Sequence, residues 1–277
     1  MKKTILALLT FSLSFQTFAQ SLKTPSASTS QTVKQEFGLG NIELSYSRPS
    51  AKGRTIFGDL VPYGAIWRTG ANAATTISFS DEVIIGGKPV PAGKYGLLTI
   101  PGASTWTVIL SKQLDVTSPA AYKEEMDVIR VNVTPSQLPF SLETFMISFE
   151  NVQASSLELM IVWDNTAVSL PIKQEIDSKV MSQINNLMSK DNRPYYNAAV
   201  YYIENNKDLN TAATWLDMAI EQNSSAYWIW YQKAKCLSLL GKKSEAKIAS
   251  VKSMNLAKAA KNGDYVTLNE KLQASLK

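Results

Sequence analysis

Between residues 31 and 172 the chain alternates apolar and polar residues in short runs. The clearest of these runs are 42–46, 106–110, 145–149 and 157–163. A period of two predicts half-buried β-strands. About nine such runs, with no long helical pattern between them, predict an antiparallel, jelly-roll-like β-sandwich.

Turn-forming residues separate these runs. They occur as Gly86-Gly87, Pro91-Ala92-Gly93, Pro101-Gly102 and Asp164-Asn165. Gly and Asn supply the backbone conformations that tight turns need, so each cluster is expected to end a strand. Residues 84–90 are predicted to form a hairpin around Gly86-Gly87.

After Pro171 the period changes to that of a helix. Ile176, Val180, Ile184 and Leu187 follow helical spacing, and the chain then becomes rich in Ala, Leu, Lys and Glu. A shift of 34 residues, the tetratricopeptide period, aligns Tyr196 with Trp230, Val200 with Ala234, Ile203 with Leu237, Ala212 with Ala246, and Ala219 with Ser253. Residues 173–277 are therefore expected to form an all-α, tetratricopeptide-like domain, although two plain helical hairpins also fit two degenerate copies.

The N-terminus has the three parts of a secretory signal. Lys2 and Lys3 precede an apolar run and the small residue Ala19, which predicts a signal peptide over 1–19 and a flexible Ser/Thr/Pro-rich lead-in over 20–30. The single cysteine is Cys236, so no cysteine stands at the cleavage point to carry a lipid. The expected location is periplasmic or secreted, not lipid-anchored, with no membrane span in the mature chain.

The amino-acid composition excludes several kinds of catalytic and metal site. The chain has no His and one Cys, which excludes a Ser-His-Asp triad, a disulfide scaffold and a structural zinc site. We expect no metal and no cofactor. The formal charge is +5, or +3 without Lys2 and Lys3, and no basic run interleaves with aromatic residues, so nucleic acid is not an expected partner.

Five short motifs carry a family resemblance. They are YSRPS at 46–50, GRTIFG at 53–58, LVPYG at 60–64, WRTGAN at 67–72 and PAGKY at 91–95. Over residues 25–172 the chain resembles the DUF2911 family, exported proteins of unknown function that are frequent in Bacteroidetes. Many members carry an acidic residue directly after the Asn of WRTGAN, where this chain has Ala73. The resemblance implies a fold and a compartment, but no reaction.

Residues 48–72 concentrate polar and aromatic groups between two strands. The candidate ligand-binding residues are Arg48, Arg54, Asp59, Tyr63, Trp67, Arg68 and Asn72. Arginine presents a rigid fork suited to carboxylate or phosphate, and tryptophan offers a stacking face. In the alternative interpretation, Arg48 or Arg54 pairs with Asp59 to fix the connection, and Trp67 fills the core.

Other clusters have simpler readings. Asp81-Glu82 is typical of a solvated turn, and the acidic residues of 123–127 of a loop or short helix, although paired carboxylates also serve glycosidases. The tyrosines and tryptophans of 195–231 either pack between helices or form a face for a protein partner. Cys236 is expected to be a small core residue.

These observations favour an exported, non-catalytic binding protein of the cell envelope. The sandwich would take an anionic or glycan ligand, and the helical domain a protein partner. The alternative is a His-free hydrolase that acts on an envelope glycan or other anionic substrate, with Asp59 or another carboxylate as base. A purely structural envelope protein is the third interpretation.

Overall fold

A computed structural model describes residues 24–276, so the predicted signal peptide at 1–19 lies outside the described residues. The chain divides into two compact units between Gln174 and Glu175. The strands are β1 (Thr29–Phe37), β2 (Gly40–Arg48), β3 (Thr76–Phe79), β4 (Val83–Ile85), β5 (Lys88–Val90), β6 (Gly93–Ile100), β7 (Trp106–Ser111), β8 (Asp127–Val133), β9 (Ser136–Glu150) and β10 (Ser156–Lys173). The helices are α1 (Asp177–Met188), α2 (Tyr195–Glu204), α3 (Leu209–Gln222), α4 (Tyr227–Leu239), α5 (Lys243–Ala259) and α6 (Gly263–Ser275).

The strands form two antiparallel sheets. One has six strands in the order β1-β2-β3-β6-β7-β8, and the other has four in the order β5-β4-β10-β9. The predicted hairpin is present: Ile85 pairs with Lys88, and Gly86 and Gly87 both have positive φ, at 56° and 76°. Two consecutive residues with positive φ are what a two-residue hairpin turn requires.

Both sheets contribute side chains to one hydrophobic cluster, because the apolar residues of each strand alternate towards it. Ile42, Leu44 and Tyr46 come from β2, and Phe145 and Ile147 from β9. Trp106 and Trp163 are the largest side chains buried within it. The period-two pattern thus marks the residues that face this shared core.

The six-stranded sheet is also covered on part of its other face. Leu98 of β6 and Ile109 of β7 are buried in a second, smaller cluster with Val116 and the partly buried Ile66 and Tyr122. Residues 112–126 connect β7 to β8 and supply Val116 and Tyr122 to this cluster. The same connection also lines a cavity, which is described below.

Two sequence expectations differ from the structure. Asp164-Asn165 does not end a strand: β10 continues through it, and Asp164 takes a φ of 51° where the pairing with β9 shifts register. Trp163 directly before this pair and Ala167 two residues after it are buried, so packing overrides the local turn preference and leaves a bulge. The first strand begins at Thr29, inside the predicted lead-in, because Thr29 pairs with Arg48.

In the part of the second unit that the structure describes there are six helices, and each of the helices from α2 to α6 packs against its neighbour in sequence. Fully buried Asn269 of α6 joins α5 through hydrogen bonds with Ser250 and Ser253, both at 2.9 Å, and its side-chain amide also donates to the Tyr265 carbonyl at 2.7 Å. Cys236 is buried, as predicted, and burial raises the pKa of its thiol. Within residues 24–276, no helix combines the length and apolar character needed to cross a membrane.

Candidate functional site

Residues 49–75 connect β2 to β3 within the six-stranded sheet and bring three of the candidate residues, Arg54, Trp67 and Arg68, to one place. After β2 the chain runs beside β9, where the Phe145 amide donates to the Pro49 carbonyl at 2.9 Å. It then returns to β6, where Trp67 and Thr99 exchange main-chain hydrogen bonds of 2.7 and 2.9 Å. The connection is therefore fixed to both sheets by backbone pairing.

A cavity of about 420 Å³ lies beside this connection. Its floor and walls include Trp67, Trp163 and Arg68, together with Arg54. Further lining residues are Ser28, Leu60, Val61, Pro62, Ile66, Val116, Thr117, Ser118 and Pro119. The volume falls at the small end of the range for ligand pockets, about 300–1,000 Å³.

Trp67 belongs to both the core and the cavity. Its ring lies parallel to Trp163 with centroids 6.0 Å apart, and it meets Phe145 edge-on at 5.1 Å. Its indole N–H donates to the Gly70 carbonyl at 3.1 Å. These contacts hold the ring in one orientation, so the cavity wall that it forms is rigid.

Arg68 lines the cavity, and no acidic residue in the described range 24–276 forms an ion pair with it. Its Nη1 donates to the carbonyl of Thr117, in the connection between β7 and β8. Its Nε is buried and has no hydrogen-bond partner within the described residues. A buried, unsatisfied donor on a charged group costs free energy.

Arg54 is also held by carbonyl groups. Its Nε donates to Ala51 at 2.9 Å and its Nη2 to Ser50 at 2.7 Å, so two of the five N–H donors of its guanidinium are used. Arg48 does not line this cavity; its Nε donates to the Phe145 carbonyl at 3.0 Å and links β2 to β9.

The remaining candidates lie outside the cavity lining. Asp59 is exposed, and among the described residues it forms no ion pair with Arg48 or Arg54. Tyr63 is 49% exposed and its ring covers Gly58, which has a φ of 91° and no room for a Cβ: one would lie 2.8 Å from that ring. Asn72 donates to the Ser28 carbonyl at 3.0 Å, so it positions a lining residue instead of contacting the cavity.

Backbone strain occurs directly after Arg68. Thr69 has a φ of 54°, a conformation that β-branched residues rarely adopt. It is fully buried, its hydroxyl lies 3.1 Å from that of Thr99, and its carbonyl accepts from the Thr75 hydroxyl at 2.7 Å. Strained backbone conformations often occur at functional segments, and this one lies directly after Arg68.

The charged side chains that line the cavity are all positive. Two guanidinium groups line it, and none of its lining residues is a carboxylate. Each guanidinium bonds to main-chain carbonyls, which leave its full positive charge in place. The arrangement suits a negatively charged ligand group.

Comparison with known proteins identifies the β unit. The family model of the protein of unknown function DUF2911 matches residues 28–172, just over half of the 277 residues. The chain belongs to the DUF2911 family. No curated protein and no solved structure matches it.

The DUF2911 region includes cavity residues that the sequence did not point to. The connection between β7 and β8 supplies four of them, Val116, Thr117, Ser118 and Pro119, and its sequence carries only the weak turn signal Ser-Pro. Trp163 comes from the four-stranded sheet, where its period-two position indicated a core residue. The connection between β7 and β8 contributes apolar surface and a main-chain carbonyl to the cavity, and neither feature has a recognisable sequence motif.

The acidic residues of 123–127 are engaged elsewhere in the DUF2911 region. Tyr122 donates to Asp127, and Arg130 pairs with both Glu124 and Asp127. Burial is the main cause that raises the pKa of Asp127. Across residues 24–276, no three Cys, Asp or Glu side chains lie close enough together to hold a metal ion.

Proposed function

We propose that this DUF2911 protein is an exported, non-catalytic binding protein of the cell envelope, and that the cavity beside Trp67 and Arg68 holds an anionic ligand. The observation that carries the proposal is a cavity lined by two guanidinium groups and, among its lining residues, by no carboxylate. A ligand carboxylate or phosphate would accept from the N–H groups of these guanidinium groups and balance their charge.

Binding is favoured over hydrolysis because of what the cavity lacks. A glycosidase of the usual kind needs two carboxylates about 5–10 Å apart on either side of the scissile bond. The cavity lining contains none, and Asp59, the candidate base, is exposed and outside it. A hydrolase acting here would need an acid and a base that this cavity does not supply.

The test is the substitution Arg68→Lys, which keeps the charge and removes the fork. We expect it to weaken anion binding by about tenfold or more, because a charge-assisted hydrogen bond is lost. The probes are octanoate, glucuronate and inorganic phosphate, added to the full chain in a thermal melt. A ligand at 100 times its Kd stabilises the folded state by about 2.7 kcal/mol.

Arg48→Lys is the matched control, since Arg48 bonds to a carbonyl outside the cavity. It should lower the melting temperature without changing the shift that a probe produces. The proposal fails if no probe shifts the native chain, or if both variants lose the shift equally.

We also propose that the two sheets form a sandwich related to a jelly roll and that α2 to α6 form a tetratricopeptide-like array. The single shared core and the three passages of the chain between the sheets support the first. In support of the second, α4 contacts α2 and α6 as well as its sequence neighbours, and the aligned residues Ala212 and Ala246 are both fully buried.

Export is proposed from the basic, apolar and small-residue order of residues 1–19. Mass spectrometry of the protein from its native cells should find an N-terminus at Gln20 or Ser21. A mature chain that retains Met1 would contradict export by cleavage.

A further inference from the structure

The cavity walls are mostly apolar, and the charged side chains that line them are those of Arg54 and Arg68. Leu60, Val61, Ile66, Val116 and Trp163 face it, and its hydroxyl-bearing lining residues are Ser28, Thr117 and Ser118. A ligand enclosed here would therefore exchange water mainly for hydrocarbon and indole surface. Such an exchange is favourable for an apolar group and unfavourable for a hydroxyl group that finds no partner.

We propose that the ligand is a small organic acid whose carboxylate meets Arg68 and whose apolar body fills the space between Leu60, Ile66 and Val116. This inference rests on the proposed function and names the chemical class of its ligand. The cavity of about 420 Å³ has room for a small molecule of this kind.

A sugar acid fits this cavity less well. Each of its hydroxyl groups needs a hydrogen-bond partner when buried, and the lining offers few. Tyr63 lies outside the cavity lining, and Trp67 packs against Trp163, Phe145 and Phe57, so less of its ring is open to a sugar than the sequence pattern predicted.

Inorganic phosphate would accept hydrogen bonds from the arginines, but the apolar walls of the cavity would stay in contact with water. The apolar lining then has no role in recognition, and affinity should not depend on it. A carboxylate with an apolar body uses both features of the cavity at once, so its affinity should depend on both the charge and the hydrocarbon.

The experiment is titration calorimetry of the full chain with hexanoate, octanoate and decanoate. Each methylene group that leaves water should tighten binding about fourfold, so octanoate should bind roughly fifteenfold more tightly than hexanoate. Glucuronate and phosphate carry a negative charge but no apolar body, so they measure how much the charge alone contributes to affinity. 1-Octanol has the apolar body without the charge and measures the contribution of that body alone. Each should bind at least about tenfold more weakly than octanoate. 4-Phenylbutyrate distinguishes an aromatic from an alkyl body within the same class.

Leu60→Ser tests the apolar wall without disturbing the core, because Leu60 is 42% exposed. It should weaken octanoate binding about threefold to tenfold, and weaken glucuronate binding less, because glucuronate brings no apolar body to this wall. Leu39→Ser is the matched control: Leu39 is 46% exposed and does not line the cavity, so octanoate should bind as to the native chain.

The outcomes separate this inference from the proposed function. If glucuronate or phosphate binds as tightly as octanoate and Arg68→Lys weakens it, the site is an anion site and the apolar class is wrong. If affinity does not rise with chain length, or Leu60→Ser has no effect, the inference is again wrong. If none of the probes binds at millimolar concentration, both the class and the proposed function fail.

Discussion

One buried hydroxyl group joins the two sheets, and its removal should be costly. Tyr46 of β2 is 3% exposed, and its oxygen accepts from the Ile147 amide of β9 at 2.9 Å. Its hydrogen is shared between the Ile147 carbonyl and the side-chain oxygen of Gln31, both at 3.0 Å. Burial raises the pKa of Tyr46, so the phenol stays protonated and able to donate at neutral pH.

The substitution Tyr46→Phe removes this oxygen and keeps the ring, which packs edge-on against Phe145 at 5.8 Å. No large void opens, so the loss is one of hydrogen bonds. The Ile147 amide would remain buried without its partner, at a cost of about 1–3 kcal/mol, and the weakened carbonyl bonds add to it. We expect the free energy of unfolding of the β unit to fall by about 2–3 kcal/mol. This corresponds to a decrease of roughly 4–12 °C in melting temperature.

The assay is differential scanning calorimetry of the full chain, with Tyr63→Phe as the control. Tyr63 is 49% exposed and its hydroxyl forms no hydrogen bond within the described residues, so its loss should shift the transition by less than about 2 °C. The reasoning is refuted if Tyr46→Phe and Tyr63→Phe melt at the same temperature as the native chain.

Two further predictions concern the helical unit. Asn269→Ala should lower its free energy of unfolding by about 3 kcal/mol in urea, read by circular dichroism, because three buried hydrogen bonds are lost; exposed Asn255→Ala is the control, and equal effects would contradict the reasoning. Burial and then Asp177 raise the pKa of Tyr201 from 10.0 to about 12. Because the folded-state value is the higher one, the contribution of Tyr201 to stability should be complete below pH 10 and lost as the pH rises past about 12. An ultraviolet titration should lose one late-ionising tyrosine in Tyr201→Phe, and an unchanged curve would contradict this assignment.

The fold was predictable where one side of an element faces a core. Ile42, Leu44 and Tyr46 alternate in the sequence because alternate side chains of β2 point to the same face, and all three are buried. The pattern was less informative for α1. That helix is present, but only Ile184 of its apolar stripe is buried and Leu187 is 39% exposed, because spacing indicates a face without saying what covers it.

The candidate site was predictable in part. The concentration of arginine and tryptophan in 48–72 identified Arg54, Trp67 and Arg68, which the structure brings to one cavity. The alternative interpretation paired Arg48 or Arg54 with Asp59, but the acceptors of the three arginines are the carbonyls of Ser50, Ala51, Phe145 and Thr117. Every residue has a carbonyl group, so such partners leave no trace in the sequence and depend entirely on how distant segments fold together.

The dual position of Trp67 decides which variants can report on ligand binding. Its ring contacts Phe145, Trp163 and the rest of the aromatic core, so a substitution there would lower stability and affinity together and would not separate them. Arg68 and Leu60 differ in this respect: the first is held by one carbonyl, and the second is 42% exposed. Because the aromatic core fixes Trp67 and buried hydrogen bonds hold Thr69 directly after Arg68, the cavity should keep its shape when Arg68 or Leu60 changes. A loss of binding in those variants therefore reports on the ligand contact itself.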